Sequence, residues 1–202
     1  MYVPEAFRQD DPETLHQFIR AHPFATLVTT ADGVPQATHL PLILEGGVLR
    51  GHLARGNPHW KTLAAGQPAL AIFMGPHAYV SPQWYPGKKV DGKAVPTWNY
   101  AVVHASGAIR PIEDAEWLRA HVTALTNQQE APFAEPWKVS DAPEDYLRKM
   151  LTAIVGVELT VASLTGKWKL SQNRTAADHD GARAGLAAQG GASAEVAEMM
   201  SR

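Results

Sequence analysis

The stretch Phe24-Ala25-Thr26-Leu27-Val28-Thr29-Thr30-Ala31-Asp32-Gly33-Val34-Pro35 decides how the rest of the chain is read. Phe24 to Thr29 is rich in β-branched residues, which suit a pleated surface, and Asp32-Gly33 tolerates the backbone of a tight hairpin turn. Pro35 to Leu44 then returns as the antiparallel partner, ending at Glu45-Gly46-Gly47, and Val48 to Leu53 makes a third strand. Upstream, Asp11 is placed to cap a helix that Pro12 starts. Leu15, Phe18 and Ile19 recur at helical spacing until His22-Pro23 stops the pattern. Downstream, Ala69 to Met74 and Ala78 to Val80 read as a strand broken near Gly75-Pro76, with Trp98 to Ile109 as a long partner across an irregular loop.

Helical signals return in the second half. Asp114 can cap Ala115 to about Gln128, where Trp117, Leu118, His121, Val122 and Leu125 form one core-facing stripe. Ser140 to Met150 reads as another helix. Ile154 to Ala162 and Trp168 to Leu170 read as two final strands separated by Thr165-Gly166. The body is expected to span 1–174. From Thr175 to Arg202 the chain is rich in Ala, Gly and short polar residues, which predicts a tail of one or two weak helices packed on the body or on a partner. Many short antiparallel strands with a few helices predict a mainly β, α+β fold, a closed or half-open barrel whose sheet edges are paired or covered. A doubly wound parallel sheet is excluded, because strands and helices do not alternate regularly and no G-x-G-x-x-G follows a strand.

The 202 residues suffice for one good core, and 45% are hydrophobic, as in a globular protein. No uncharged apolar run reaches the roughly 18 residues of a membrane span, and Met1-Tyr2-Val3-Pro4-Glu5 lacks the pattern of a secretory signal. A cytoplasmic protein without membrane contact is expected. The absence of cysteine excludes disulfides, thiolate nucleophiles and Cys-ligated metals. A formal charge of -2 gives no general attraction to nucleic acid.

Chemistry concentrates in Gly51-His52-Leu53-Ala54-Arg55-Gly56-Asn57-Pro58-His59-Trp60-Lys61. Asn57 suits an N-cap, Pro58 a first helical position and Gly66 a stop, so a short helix is expected to open with free backbone N-H groups between Arg55 and Lys61. A phosphate would suit that start, with Arg55 as a bidentate fork and Lys61 as a point charge. The plainer alternative is a capped helix with solvated basic residues. Nine histidines invite a metal, yet H-E-x-x-H is missing and His52 to His59 is not a standard ligand spacing. His104-Ala105-Ser106-Gly107 is not a nucleophile elbow. Lys88, Lys89 and Lys93 mark a basic loop, either solvated or a lid over a partner or substrate.

Several longer motifs carry a family resemblance. Thr38-His39-Leu40-Pro41, Gly51 to Arg55 with Asn57 to Lys61, Tyr79-Val80-Ser81-Pro82 with Trp84-Tyr85, Val95 to Tyr100, and Lys169-Leu170-Ser171-Gln172-Asn173 resemble, in order, the PaiB family. Its members are FMN-binding split-barrel proteins described as negative transcriptional regulators. The resemblance runs from Met1 to about Arg174 and implies a split β-barrel, a homodimer, and FMN held where two subunits meet. Arg55, Asn57 and Lys61 would hold the phosphate. Thr38, His39, Leu40, His52, Leu53 and Ala54 would lie on the strands beneath the ribityl chain and ring, with Trp60 beside the phosphate turn. Trp98, Asn99, Gln172 and Asn173 of the second subunit would close over the cofactor. His39 and His52 could equally be satisfied core histidines, and Trp60 a packing anchor. A small FMN-dependent oxidoreductase using a nicotinamide nucleotide, and a haem-binding split barrel, are the alternatives. Direct DNA binding lacks support, since neither a helix-turn-helix nor a basic recognition helix is evident.

Overall fold

Alternating burial identifies the first strands. Ala25, Leu27 and Thr29 turn inward along β2 (Phe24–Ala31), while Phe24, Thr26 and Val28 turn the other way. The computed structural model describes residues 1–201, so Arg202 at the end of the expected tail lies outside it. Before β2 come β1 (Arg8–Gln9) and α1 (Pro12–Ala21), the latter opened by Asp11, whose carboxylate accepts from the Thr14 amide at 2.8 Å. Asp32 and Gly33, at φ 51° and 78°, make the turn into β3 (Val34–Pro41). Then follow β4 (Ile43–Glu45), β5 (Val48–Ala54), β6 (Gln67–Val80), the one-turn α2 (Lys88–Asp91) and β7 (Thr97–Ile112). The chain finishes with α3 (Ala115–Glu130), α4 (Glu144–Thr152), β8 (Ile154–Lys169), α5 (Ala176–Gln189) and α6 (Gly191–Met199).

The strands form one sheet in the order β3-β2-β6-β7-β8-β5-β4, with β1 added to β8; every pairing for which a register is resolved is antiparallel. By contact density the chain divides into two compact units. One comprises Ile19–Phe73 and Ala105–Ser163; the other comprises Met1–Phe18, Met74–His104 and the described residues from Leu164 onward.

In the first unit Leu40 and Leu42 fill the space a side chain at Gly51 would need, at 3.0 and 2.6 Å, so the glycine lets β5 come close beneath them. Val155 to Leu159 are buried without alternation, since helices cover the second face of β8. That cover is an apolar cluster of Leu118, Val139, Leu147 and Leu151, joined by Trp117, Val122 and Ile154. In the second unit Ala78, Val80, Tyr85 and Leu170 pack against Ala182, Leu186, Val196 and Ala197 of α5 and α6. Trp84 lies against Gly181 and Gly185, where any Cβ would come within 2.0 Å of the Trp84 carbonyl oxygen or 2.3 Å of its indole.

Four expectations are corrected. β8 runs unbroken through Thr165-Gly166: Gly166 pairs with Gln9, and a Cβ there would meet Leu15 at 2.4 Å, so this glycine serves a close approach rather than a turn. β6 likewise continues through Gly75-Pro76, the inward phase slipping by one residue between Gly75 and Ala78. The strand expected over Pro35 to Leu44 is two strands: the ladder with β2 closes on the Leu42 amide donating to the Pro23 carbonyl at 2.9 Å, since Pro23 has no N-H to return, and from Ile43 the chain pairs with β5. The helix expected from Ser140 starts at Glu144, after a 3-10 turn over Val139–Asp141.

Candidate functional site

The chain leaves β5 through Arg55-Gly56 and enters a 3-10 turn, Pro58–Thr62, in place of the expected helix reaching toward Gly66. Asn57 caps it, its side-chain oxygen accepting from the His59 amide at 3.0 Å. A five-residue 3-10 turn lacks the aligned peptide dipoles of a long helix, so anion binding here must come from side chains. The Asn57 amide donates to the Thr38 hydroxyl at 3.1 Å, which joins the end of β5 to β3. His59 is buried between two threonines, with Nδ1 2.8 Å from the Thr38 hydroxyl and Nε2 2.7 Å from the Thr29 hydroxyl. Burial lowers the His59 pKa, so the ring is neutral at pH 7 and its two nitrogens divide donor and acceptor roles between the threonines.

Arg55 is more committed than its sequence suggests. Its guanidinium donates to the Thr152 carbonyl at 2.9 Å, the Ile154 carbonyl at 3.3 Å and Glu113 at 2.6 Å, tying the end of β5 to the start of β8. Trp60 stacks beneath it at 5.4 Å and donates its indole N-H to the Arg55 carbonyl at 2.8 Å. Lys61 is exposed on the same turn.

Strand alternation separates the other expected residues. Thr38 and Leu40 share one face of β3, whereas His39 is exposed on the opposite face, 3.0 Å from the Thr26 hydroxyl. On β5, Leu53 turns into the core while His52 faces α3, its Nδ1 3.1 Å from Nε2 of His121. Ala54 is exposed at the strand end. His121 is 4% exposed, stacks on Trp117 and has no partner for Nδ1 among the described residues. Burial, then the His52 and Arg50 charges, push His121 down to about 4, and burial also lowers His52. Both folded pKa values lie below those of the unfolded chain. Stability is therefore expected to be full above the ordinary histidine range and to fall as pH drops from 7 toward 4. His121→Phe should flatten that slope in urea unfolding followed against pH; an unchanged slope would remove the pair as its source.

The remaining expected residues belong to the other compact unit. Trp98 is 52% exposed and meets Tyr79 edge-on at 6.2 Å. Asn99 is fully buried, donating to the Ser171 hydroxyl at 3.0 Å and approaching the Met200 sulfur at 3.5 Å. Gln172 folds back on its own backbone, accepting from the Leu170 amide and donating to the Trp168 carbonyl. Asn173 is exposed. Thr29, His59 and His121 were not among the expected contacts. Only the placing of histidines within apolar patterns hints at them.

Hydroxyls, amides, a neutral imidazole and two cations make a binding surface rather than a covalent centre. Such a donor set suits a polyhydroxylated, phosphorylated ligand.

The antiparallel sheet with helical cover is the split-barrel fold of flavin-binding proteins. It superposes on the FAD and haem binding protein of Mycobacterium smegmatis with a TM-score of 0.64, at 20% identity over 91% of this chain and 80% of that one. It superposes on the flavocytochrome Anf3 of Azotobacter vinelandii with a TM-score of 0.58, at 16% identity over 86% and 73% of the two chains. Residues 1–163 match the family described as "Putative FMN-binding domain", and the chain belongs to that family, whose cofactor is FMN. The protease synthase and sporulation protein PAI 2 of Bacillus subtilis is 36% identical over 183 residues, 89% of this chain and 86% of its own length. An uncharacterized protein of Emericella nidulans is 34% identical over 227 residues, 92% and 90% of the two chains. The PaiB resemblance and the α+β split barrel thus stand on both sequence and fold.

Proposed function

We propose that the protein is a cytoplasmic homodimer of the PaiB type that holds FMN between subunits and acts in transcriptional regulation. The observation that carries the site is the hydrogen-bonded set Thr38, Asn57 and His59 beside Arg55 and exposed Lys61. Its chemistry fits a ribityl phosphate: Lys61 and the two guanidinium N-H groups of Arg55 left after its three contacts supply charge, and Thr38 and Asn57 supply hydroxyl and amide. The neighbouring outer face of β2 and β3 exposes Phe24 beside His39, apolar ground for a flat ring or a subunit contact. Leu40 and Leu53 support that ground from within, His52 lies on the α3 side of β5, Ala54 and Trp60 border the turn, and Trp98, Gln172 and Asn173 of the second subunit complete the enclosure, with buried Asn99 bracing the strand behind Trp98. Bound FMN would supply a redox-active ring. With a net charge of -2, a regulatory effect would pass through protein partners rather than direct contact with DNA.

The test is FMN titration followed by absorbance, with the mass read by sedimentation. One flavin per chain in a dimer is expected. Flavin uptake by a monomer would overturn the interface, and no uptake would overturn the site. Two variants divide the roles of the cations. Lys61→Ala should weaken FMN binding roughly 10-fold and leave the thermal midpoint unchanged, whereas Arg55→Ala should weaken it roughly 10- to 100-fold and lower the midpoint as well. The second effect arises because the carbonyls of Thr152 and Ile154 lose their donor.

A further inference from the structure

Three cations gather in the second compact unit without a counter-charge. Lys167, only 8% exposed, donates to the Tyr2 carbonyl at 3.2 Å, and its ammonium lies 5.7 and 5.4 Å from the Tyr2 and Tyr100 rings. Lys169, two residues along β8 and so on the same face, donates to the Thr97 hydroxyl and to the Trp98 carbonyl at 2.6 Å. Arg174 stands over the Tyr85 ring at 4.9 Å. Among the described residues none of the three is ion-paired, whereas half-buried Arg50 of β5 and Arg55 just beyond that strand both meet carboxylates. Burial, then the charges of Lys167 and Arg174, hold the Lys169 pKa below its ordinary value. Like charges drawn together and partly desolvated oppose folding, and an anion would relieve them.

Beside the cations lies an aromatic surface. Trp98 and Tyr79 are 52% and 45% exposed, and the His77 ring also lies near Trp98, at 6.1 Å. An exposed indole with polar neighbours is a stacking platform for a planar ring, and Lys169 is bonded to the backbone of that tryptophan.

We propose that this face binds a nucleotide, its phosphate on Lys169, Lys167 and Arg174 and its base or nicotinamide ring against Trp98. The assignment goes beyond the flavin site. Trp98 is common to both readings, so the experiment keeps them apart. Protein freed of FMN, and then the same protein saturated with it, is titrated by calorimetry with ADP, with adenosine and with inorganic phosphate while flavin absorbance is recorded; the flavin-free protein tests the site. ADP should bind, more weakly as salt rises, and adenosine at least about 10-fold less well, for want of phosphate. Lys169→Met should weaken ADP at least about 10-fold, retain the flavin, and melt no lower than the parent, since it removes a repelled charge. Arg174→Gln should weaken ADP in the same way and serves if Lys169→Met fails to fold. Absence of ADP binding, or ADP binding unchanged in both variants, overturns the proposal. So does loss of flavin in step with ADP, which would give the cluster to FMN. A chain that takes up ADP but no FMN would instead overturn the flavin reading and leave this one standing.

Discussion

Glu158→Ala is expected to cost about 3 kcal/mol or more of folding stability, read as a lower urea midpoint with an unchanged slope. The carboxylate is 7% exposed and accepts from Arg50 and the Trp117 indole on one oxygen and from Arg110 on the other. Removing it leaves Arg50 with Glu45 as its one carboxylate partner and strands the half-buried Trp117 indole N-H, and the cost of these lost partners exceeds the worth of the ion pair itself. Arg110 is largely exposed and returns to water, which keeps the loss near the lower end of the range for broken buried pairs. Burial pushes the Glu158 pKa up, but the hydrogen bonds from Arg110, Arg50 and Trp117 outweigh it, and the folded value lies below the ordinary one. A depressed folded value means the contribution is present above the ordinary carboxylate range and is lost as pH falls through the folded pKa. The difference between parent and variant should therefore shrink in acid. A loss under about 1 kcal/mol at pH 7 would show that the network is solvated rather than structural.

Gly107→Ala should be of similar size, about 3 kcal/mol, with a single methyl group as the cause. A Cβ on Gly107 would lie 1.9 Å from the Thr160 carbonyl oxygen and 2.9 Å from the Leu159 side chain. The first obstacle is backbone, which no rotamer change can move, so β7 and β8 would have to part locally. Gly56→Ala is the matched control, since nothing lies within 4 Å of its Cβ position. Its thermal midpoint should stay close to that of the parent. Equal midpoints for the two variants would mean that the strands yield without penalty.

Local chemistry made much of the fold legible. The cap at Asp11, the hairpin at Asp32-Gly33 and the cap at Asp114 each follow from neighbours within three residues, and each stands in the structure. The errors arose where distant residues decide. Thr165-Gly166 carries a turn signature, yet Leu15 and the Gln9 carbonyl press on Gly166 and make it a strand position. The same division holds at the site. Asn57 as a cap could be read from Asn57-Pro58, but nothing behind a proline announces that Thr29 and Thr38 bracket the ring of His59. Nor could spacing show that Arg55, apt for phosphate by type, also fastens β5 to β8, because its partners lie 58 and 97 residues away.

The seat of Trp84 gives the alanine-rich tail a different standing. Gly181 and Gly185 are four residues apart, so both fall on one stripe of α5, and Trp84 takes both places, its carbonyl oxygen where a side chain on Gly181 would be and its indole where one on Gly185 would be. A segment with so few distinctive letters looks interchangeable when only composition is compared. Its information resides in two absences held in helical phase. Among relatives, a tail with unrelated letters but the same two gaps would preserve this docking, while a tail of closely similar composition shifted by one residue would have lost it.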